Sequence, residues 1–95
     1  MLIQHEETAH GGRFYLSEDG NDLAEMVYSR QGEHQITILH TEVDPSLEGK
    51  GVGKALVAAA VEYARAGDIK IYPICPYAKK VLERTEEYQD VLVKP

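Results

Sequence analysis

One cysteine, Cys75, serves the whole chain of 95 residues. That count excludes an internal disulfide and a cysteine zinc cluster, and leaves either an inert core residue or a reactive thiol. The four histidines are scattered and, with a single cysteine, offer no metal-ligand spacing, so no metal cofactor is expected. Positive charge is scarce too: 10 Lys+Arg stand against 16 Asp+Glu, a formal net charge of -6. Such a surplus repels a phosphate backbone, and nucleic acid is not an expected partner. The longest apolar run, residues 55–61, has seven residues, whereas a helical bilayer span takes about 20; no membrane partner is expected. The first residues lack a basic stretch followed by a long apolar one, which makes the cytoplasm the expected compartment. The length suits one domain over residues 1–95. With 43% hydrophobic and 27% charged residues the chain is too apolar to be disordered.

What is present divides into two halves. Up to Val43 the chain reads as strands: residues 2–8, 13–17, 23–30 and 34–43, separated by turns at His10-Gly11-Gly12, Asp19-Gly20-Asn21-Asp22 and Gln31-Gly32-Glu33. Four strands with short turns make an antiparallel meander, with Leu23, Val27 and Tyr28 expected inside. His5, His10 and His34 read as surface residues near turns. Asp44-Pro45 breaks the last strand. The period then changes. Val52, Ala55, Leu56, Ala59, Ala60 and Tyr63 mark one face of a helix, which Gly67 closes at its C-cap. Residues 69–72 read as a strand parallel to residues 34–43, reached by the helical crossover. Residues 76–84 read as a second helix with Ala78, Val81 and Leu82 inward, and residues 88–93 as a short final strand. The expected fold is α/β: an antiparallel meander, a helix crossing to a parallel strand, then a second helix.

Between the fourth strand and the first helix stands Glu48-Gly49-Lys50-Gly51-Val52-Gly53-Lys54. The first turn of a helix has free N–H groups at the positive end of its dipole. Glycines let backbone approach an anion closely, so the loop predicts a pyrophosphate cradle, with Lys50 and Lys54 adding charge. It is not a Walker A loop, because Gly53-Lys54 is followed by Ala55 where a magnesium-binding hydroxyl is needed. Nor is it a dinucleotide fingerprint, because neither Gly49-x-Gly51 nor Gly51-x-Gly53 is followed by the third glycine. Cys75 precedes Pro76, which is favoured at the first helical position. The thiol therefore stands at a helix N-cap, where a thiolate is stabilised. Pro73 lacks an N–H and fits poorly inside a ladder, so a gap is expected beside Cys75. His40, by period 2, shares a face with Ile36, Ile38 and Glu42 unless a bulge intervenes.

Three segments, Gly49-Lys50-Gly51-Val52-Gly53-Lys54-Ala55-Leu56, the run Ile71-Tyr72-Pro73-Ile74-Cys75-Pro76-Tyr77-Ala78, and Tyr88-x-Asp90-Val91-Leu92, carry a resemblance to the GCN5-related N-acetyltransferases. Within that superfamily the chain resembles the small members of about its own length. The resemblance implies acetyl-CoA as cosubstrate, with its pyrophosphate on the amides of Gly49, Lys50, Gly51, Val52, Gly53 and Lys54. It implies pantetheine pairing with the backbone of Thr41, Glu42 and Val43. From its place on the second helix Lys79 reads as within reach of the CoA phosphates, and Tyr77 as either stacking near the cofactor arm or packing. The resemblance places His40 and Cys75 across a splay between the fourth and fifth strands as the candidate catalytic pair. Two routes follow: the Cys75 thiolate takes the acetyl group and passes it on, or His40 deprotonates an amine that attacks the thioester directly. Glu48 departs from the superfamily's usual Gln or Arg, and its carboxylate is repulsive to pyrophosphate. Little chain precedes the meander, so an open acceptor site is expected, for a small amine or a protein amine, on a monomer. The alternatives from other classes are a non-catalytic CoA-binding or acyl-sensing module and a thiol redox sensor.

Overall fold

The computed structural model describes residues 1–93. Four strands come first, β1 (Gln4–Thr8), β2 (Gly11–Glu18), β3 (Asn21–Arg30) and β4 (Gln35–Val43), followed by helix α1 (Val52–Gly67), strand β5 (Lys70–Pro73) and helix α2 (Pro76–Arg84). The strands stand in one sheet in chain order. β1 to β4 are antiparallel, and β5 runs parallel to β4 after the α1 crossover. This is the mixed sheet that the switch of period predicts.

Local chemistry explains the joints. Asp19 and Gly20 have φ of 51° and 80°, the positive pair that a two-residue hairpin turn needs. Gly11 and Gly12 are not turn residues, as expected, but buried residues of β2. A Cβ on Gly11 would lie 2.2 Å from the Tyr28 carbonyl oxygen, and one on Gly12 2.6 Å from the Tyr28 hydroxyl. These glycines are there for close approach. In β3 the buried alternation falls on Ala24, Met26 and Tyr28, with Leu23 and Val27 only half-buried. On α1 the buried stripe is Val52, Leu56, Val57, Ala60, Val61 and Ala64. Ala55, Ala59 and Tyr63, expected inside, flank it. Gly67 is the last helical residue rather than the cap; Asp68 takes the left-handed position (φ 54°) and its N–H reaches the carbonyls of Ala64 and Arg65.

Both helices pack on one face of the sheet. Ile36, Ile38, Met26, Tyr28 and Ile71 meet Leu56, Val57, Val61, Ala78 and Leu82 there in one buried cluster. His5 is exposed, as expected, and stands at that face's rim. Its ring stacks on Phe14 at 4.2 Å and its Nε2 lies 2.6 Å from the Tyr28 hydroxyl.

Residues 88–93 do not form the expected strand. Glu86–Tyr88 is a 3-10 turn, and only Leu92 bridges to Ile71. The Ile71 N–H donates to the Val91 carbonyl and the Val93 N–H to the Ile71 carbonyl. The preceding residues are held by side chains instead: Arg65 clasps both Asp90 oxygens at 2.9 Å, and Gln89 Nε2 donates to the carbonyls of Leu82 and Thr85. The outer edge of β5 is thereby covered at Ile71.

Candidate functional site

β4 is longer than its partner. Pairing with β5 runs from Gln35 to Ile38 and stops where Ile38 meets Pro73, so residues 39–43 have an open edge on that side. The chain leaves β5 at once: the N–H groups of Ile74 and Cys75 both donate to the Ile38 carbonyl. The gap expected from Pro73 is therefore in the structure, and it lies between β4 and the start of α2.

A cavity of about 660 Å³ opens along this gap. Thr41 and Val43 of β4, Asp44, Pro45 and Leu47, the loop residues Glu48, Gly49 and Gly51, the first turn Val52, Gly53 and Lys54, and Tyr77 of α2 line it. Gly49 and Gly51 have φ of 80° and 77°, and a Cβ on either would meet nothing within 4 Å. What these positions require is backbone conformation, not room. Gly51 is the N-cap of α1 and supplies no side chain to the opening amides. The N–H groups of Val52, Gly53 and Lys54 thus lack an intrahelical acceptor and have no side-chain cap. The Lys50 amide differs from its neighbours: it donates to the Leu47 carbonyl at 3.1 Å and is already engaged. Gly53 has a second reason. A Cβ there would lie 2.6 Å from the Tyr77 hydroxyl oxygen, so glycine lets the phenol rest on the first turn of α1. Burial pushes the Tyr77 hydroxyl above its ordinary pKa, and charge on nearby Cys75 would add to that.

The cavity thus gathers Thr41, Val43, Gly49, Gly51, Val52, Gly53, Lys54 and Tyr77 among the residues predicted for the site. It does not gather Glu42, Lys50, Lys79, His40 or Cys75. Glu42 lies on the other face, opposite Glu25, in a second, acidic cavity of about 580 Å³ with Asp22, Glu25 and Asp44. Lys79 is exposed in α2. Cys75 is the N-cap of α2, as predicted, but only 4% of it is exposed.

The expected pairing of His40 with Cys75 is corrected by one residue of backbone. β3 and β4 shift register between Val27 and Tyr28: Tyr28 faces Ile38, and Val27 faces His40. Leu39 is the extra residue, a bulge. Beyond it the alternation inverts. Thr41 and Val43, opposite Met26 and Ala24, join the helix-covered face with Ile36 and Ile38. His40 and Glu42, both exposed, pass to the bare face. The residue that meets Cys75 is Thr41, whose Oγ1 accepts from the Cys75 Sγ at 3.4 Å. Sequence reasoning missed this partner, and also Pro45 and Leu47 in the cavity wall.

Comparison with known proteins bears on the family and the fold. The family model described as GCN5-related N-acetyl-transferase matches residues 13–91. The solution structure of a GCN5-like protein from Staphylococcus aureus superposes with a TM-score of 0.76 at 38% identity, over 97% of this chain and 89% of that one. Protein NATD1 of Gallus gallus is 29% identical over 82 residues, 85% of this chain and 74% of that protein. The chain spans less than two thirds of the NATD1 proteins of Xenopus tropicalis and Homo sapiens that it matches. At 18% identity, the aminoglycoside N-acetyltransferase AAC(6')-Iy, solved in complex with CoA, shares the fold with a TM-score of 0.59 over 93% of this chain and 77% of that one. The chain belongs to the GCN5-related N-acetyltransferase family.

Proposed function

We propose that the protein transfers an acetyl group from acetyl-CoA to an amine by direct attack on the thioester. The observation that carries this reading is the cavity joining the uncapped first turn of α1 to the open edge of β4. Amides at a helix start, beside two glycines of positive φ, suit a pyrophosphate. The free edge at Thr41 and Val43 suits the amide groups of pantetheine, which add to β4 as a strand would. The thioester then lies toward Thr41. That a family member of the same fold is solved with CoA supports the choice of cofactor.

Direct attack is favoured over a covalent route for two reasons. Cys75 is buried and its thiol is engaged by Thr41, and His40 stands on the other face of the sheet, where it cannot serve that thiol as a base. In the direct route the amine nitrogen bonds to the carbonyl carbon, the C–S bond breaks, and the amine proton passes through solvent to the released CoA thiolate. Titration calorimetry with CoA, followed by thiol release from acetyl-CoA across a panel of amines, tests the reading. Saturable binding and amine-dependent release are expected. Binding without release from any amine would leave a CoA-binding module, and no binding would end the proposal. Intact-mass measurement after incubation with acetyl-CoA is expected to show no acetyl adduct at Cys75.

A further inference from the structure

Thr41 is the side chain that the Leu39 bulge turns from the bare face of the sheet into the gap. It is half-buried, lines the cofactor cavity, and its Oγ1 accepts the Cys75 thiol hydrogen. A threonine hydroxyl has two lone pairs and one hydrogen. With one lone pair occupied by the thiol, the remaining choice for the O–H is direction. Its α2 neighbour is the N-cap, which makes no capping bond with its own side chain. The thiol has been drawn across the gap to Thr41 instead of serving its own helix. This is an unusual use of an N-cap, where a side chain ordinarily bonds the first-turn amides. It fixes the hydroxyl from behind.

We infer that the Thr41 hydroxyl is a catalytic hydrogen-bond donor to the thioester carbonyl oxygen, and that Cys75 is the positioning residue that orients it. The inference rests on the acetyl-CoA reading above and deepens it by assigning the group that meets the developing charge. As the amine nitrogen adds to the carbonyl carbon, the carbonyl electron pair moves to oxygen, and the Thr41 O–H stabilises it there without transferring its proton. Collapse expels the CoA thiolate, and the amine proton leaves through solvent. A donor held in place before reaction gains most when the charge appears. The lone cysteine is thereby explained without nucleophilic chemistry: its hydrogen is given to Thr41 and its sulfur stays out of the cavity.

The experiment uses acetyl-CoA labelled with carbon-13 at the carbonyl and reads the carbonyl resonance free and bound. Wild type is expected to bind it and move the resonance downfield. Thr41→Val, which keeps the branched shape that a strand favours, is expected to bind several-fold more weakly, through loss of that one hydrogen bond, and at saturation to leave the resonance near its free position. Thr41→Ser should restore the shift, and Cys75→Ser, with a hydroxyl donor in the thiol's place, should keep it. Cys75→Ala should weaken the shift by freeing the hydroxyl to rotate. With any amine that wild type acetylates, Thr41→Val should lower kcat about 100-fold, the scale of losing one such donor, while KM for acetyl-CoA rises only several-fold. Circular dichroism and Tm confirm that each variant is folded. A bound carbonyl that does not move in wild type, or moves equally in Thr41→Val, overturns the inference while leaving cofactor binding intact. Failure of wild type to bind acetyl-CoA at all overturns the functional reading, and this inference with it.

Discussion

At the scale of single residues, backbone conformation and charge around the loop give the sharpest expectations. Gly51 has positive φ and open space around its missing Cβ. Gly51→Ala should therefore lose about 1 kcal/mol through backbone strain alone, and should weaken CoA binding by turning the first amides of α1. Gly51→Asn, which tolerates that region better, should recover part of both in paired denaturation and calorimetry. Glu48 lines the same cavity, and a carboxylate there would repel a phosphate bound beside it. Glu48→Gln should tighten CoA several-fold, and the gain should shrink as salt screens the repulsion. An unchanged Kd at low salt would place the phosphates away from Glu48. The glycine loop was legible because its chemistry is local. The side of the sheet on which His40 stands was not. It depends on Leu39 being unpaired against β3, a property of two strands together that no residue type at position 39 announces.

The elements show the same division. Helix α1 was legible from its period, but its buried stripe is rotated toward Val57, Val61 and Ala64. Every residue around Ala59 is small or apolar, so the pattern alone fits more than one orientation, and packing on β3 and β5 chooses among them. The segment after α2 has strand-like residues but bridges at Leu92 only, because Arg65 and Gln89 hold the preceding turns in place. Arg65→Lys gives up the two-pronged grip on Asp90, and is expected to lower Tm and to speed amide exchange at Ile71 and Val93 more than elsewhere. Strand β1 carries a pH-dependent contact. Burial holds His5 below its ordinary pKa of 6.5, with Glu7 opposing. Burial keeps the Tyr28 hydroxyl protonated, and its one hydrogen can be given to neutral His5 Nε2. A protonated ring cannot accept. The sign follows: the unfolded chain binds the proton more readily, so the contribution of His5 is fully present above 6.5 and is lost as pH falls through the lower folded value. Urea midpoints measured from pH 7.5 downward should fall more for wild type than for His5→Gln; parallel curves would remove His5 from the account.

Over the whole molecule, charge and layering decide what approaches. On the acetyl-CoA reading, the net charge of -6 would oppose the anionic cofactor at long range, while the loop amides would attract it only at contact. Stopped-flow association of CoA is expected to quicken as salt rises from low values to physiological ones. A rate that falls instead would mean that Lys50, Lys54 and Lys79 set the local field. Fold class was the most legible property of all, because a meander of short strands followed by one strong helical period leaves few topologies. The order of the sheet has a consequence of its own. Each strand lies beside the one made just before it, so a nascent chain leaving the ribosome never has to force a strand between two that are already joined. β1 to β4 can zip up as they emerge, and only the last, parallel seam must wait until the crossover helix has been synthesised.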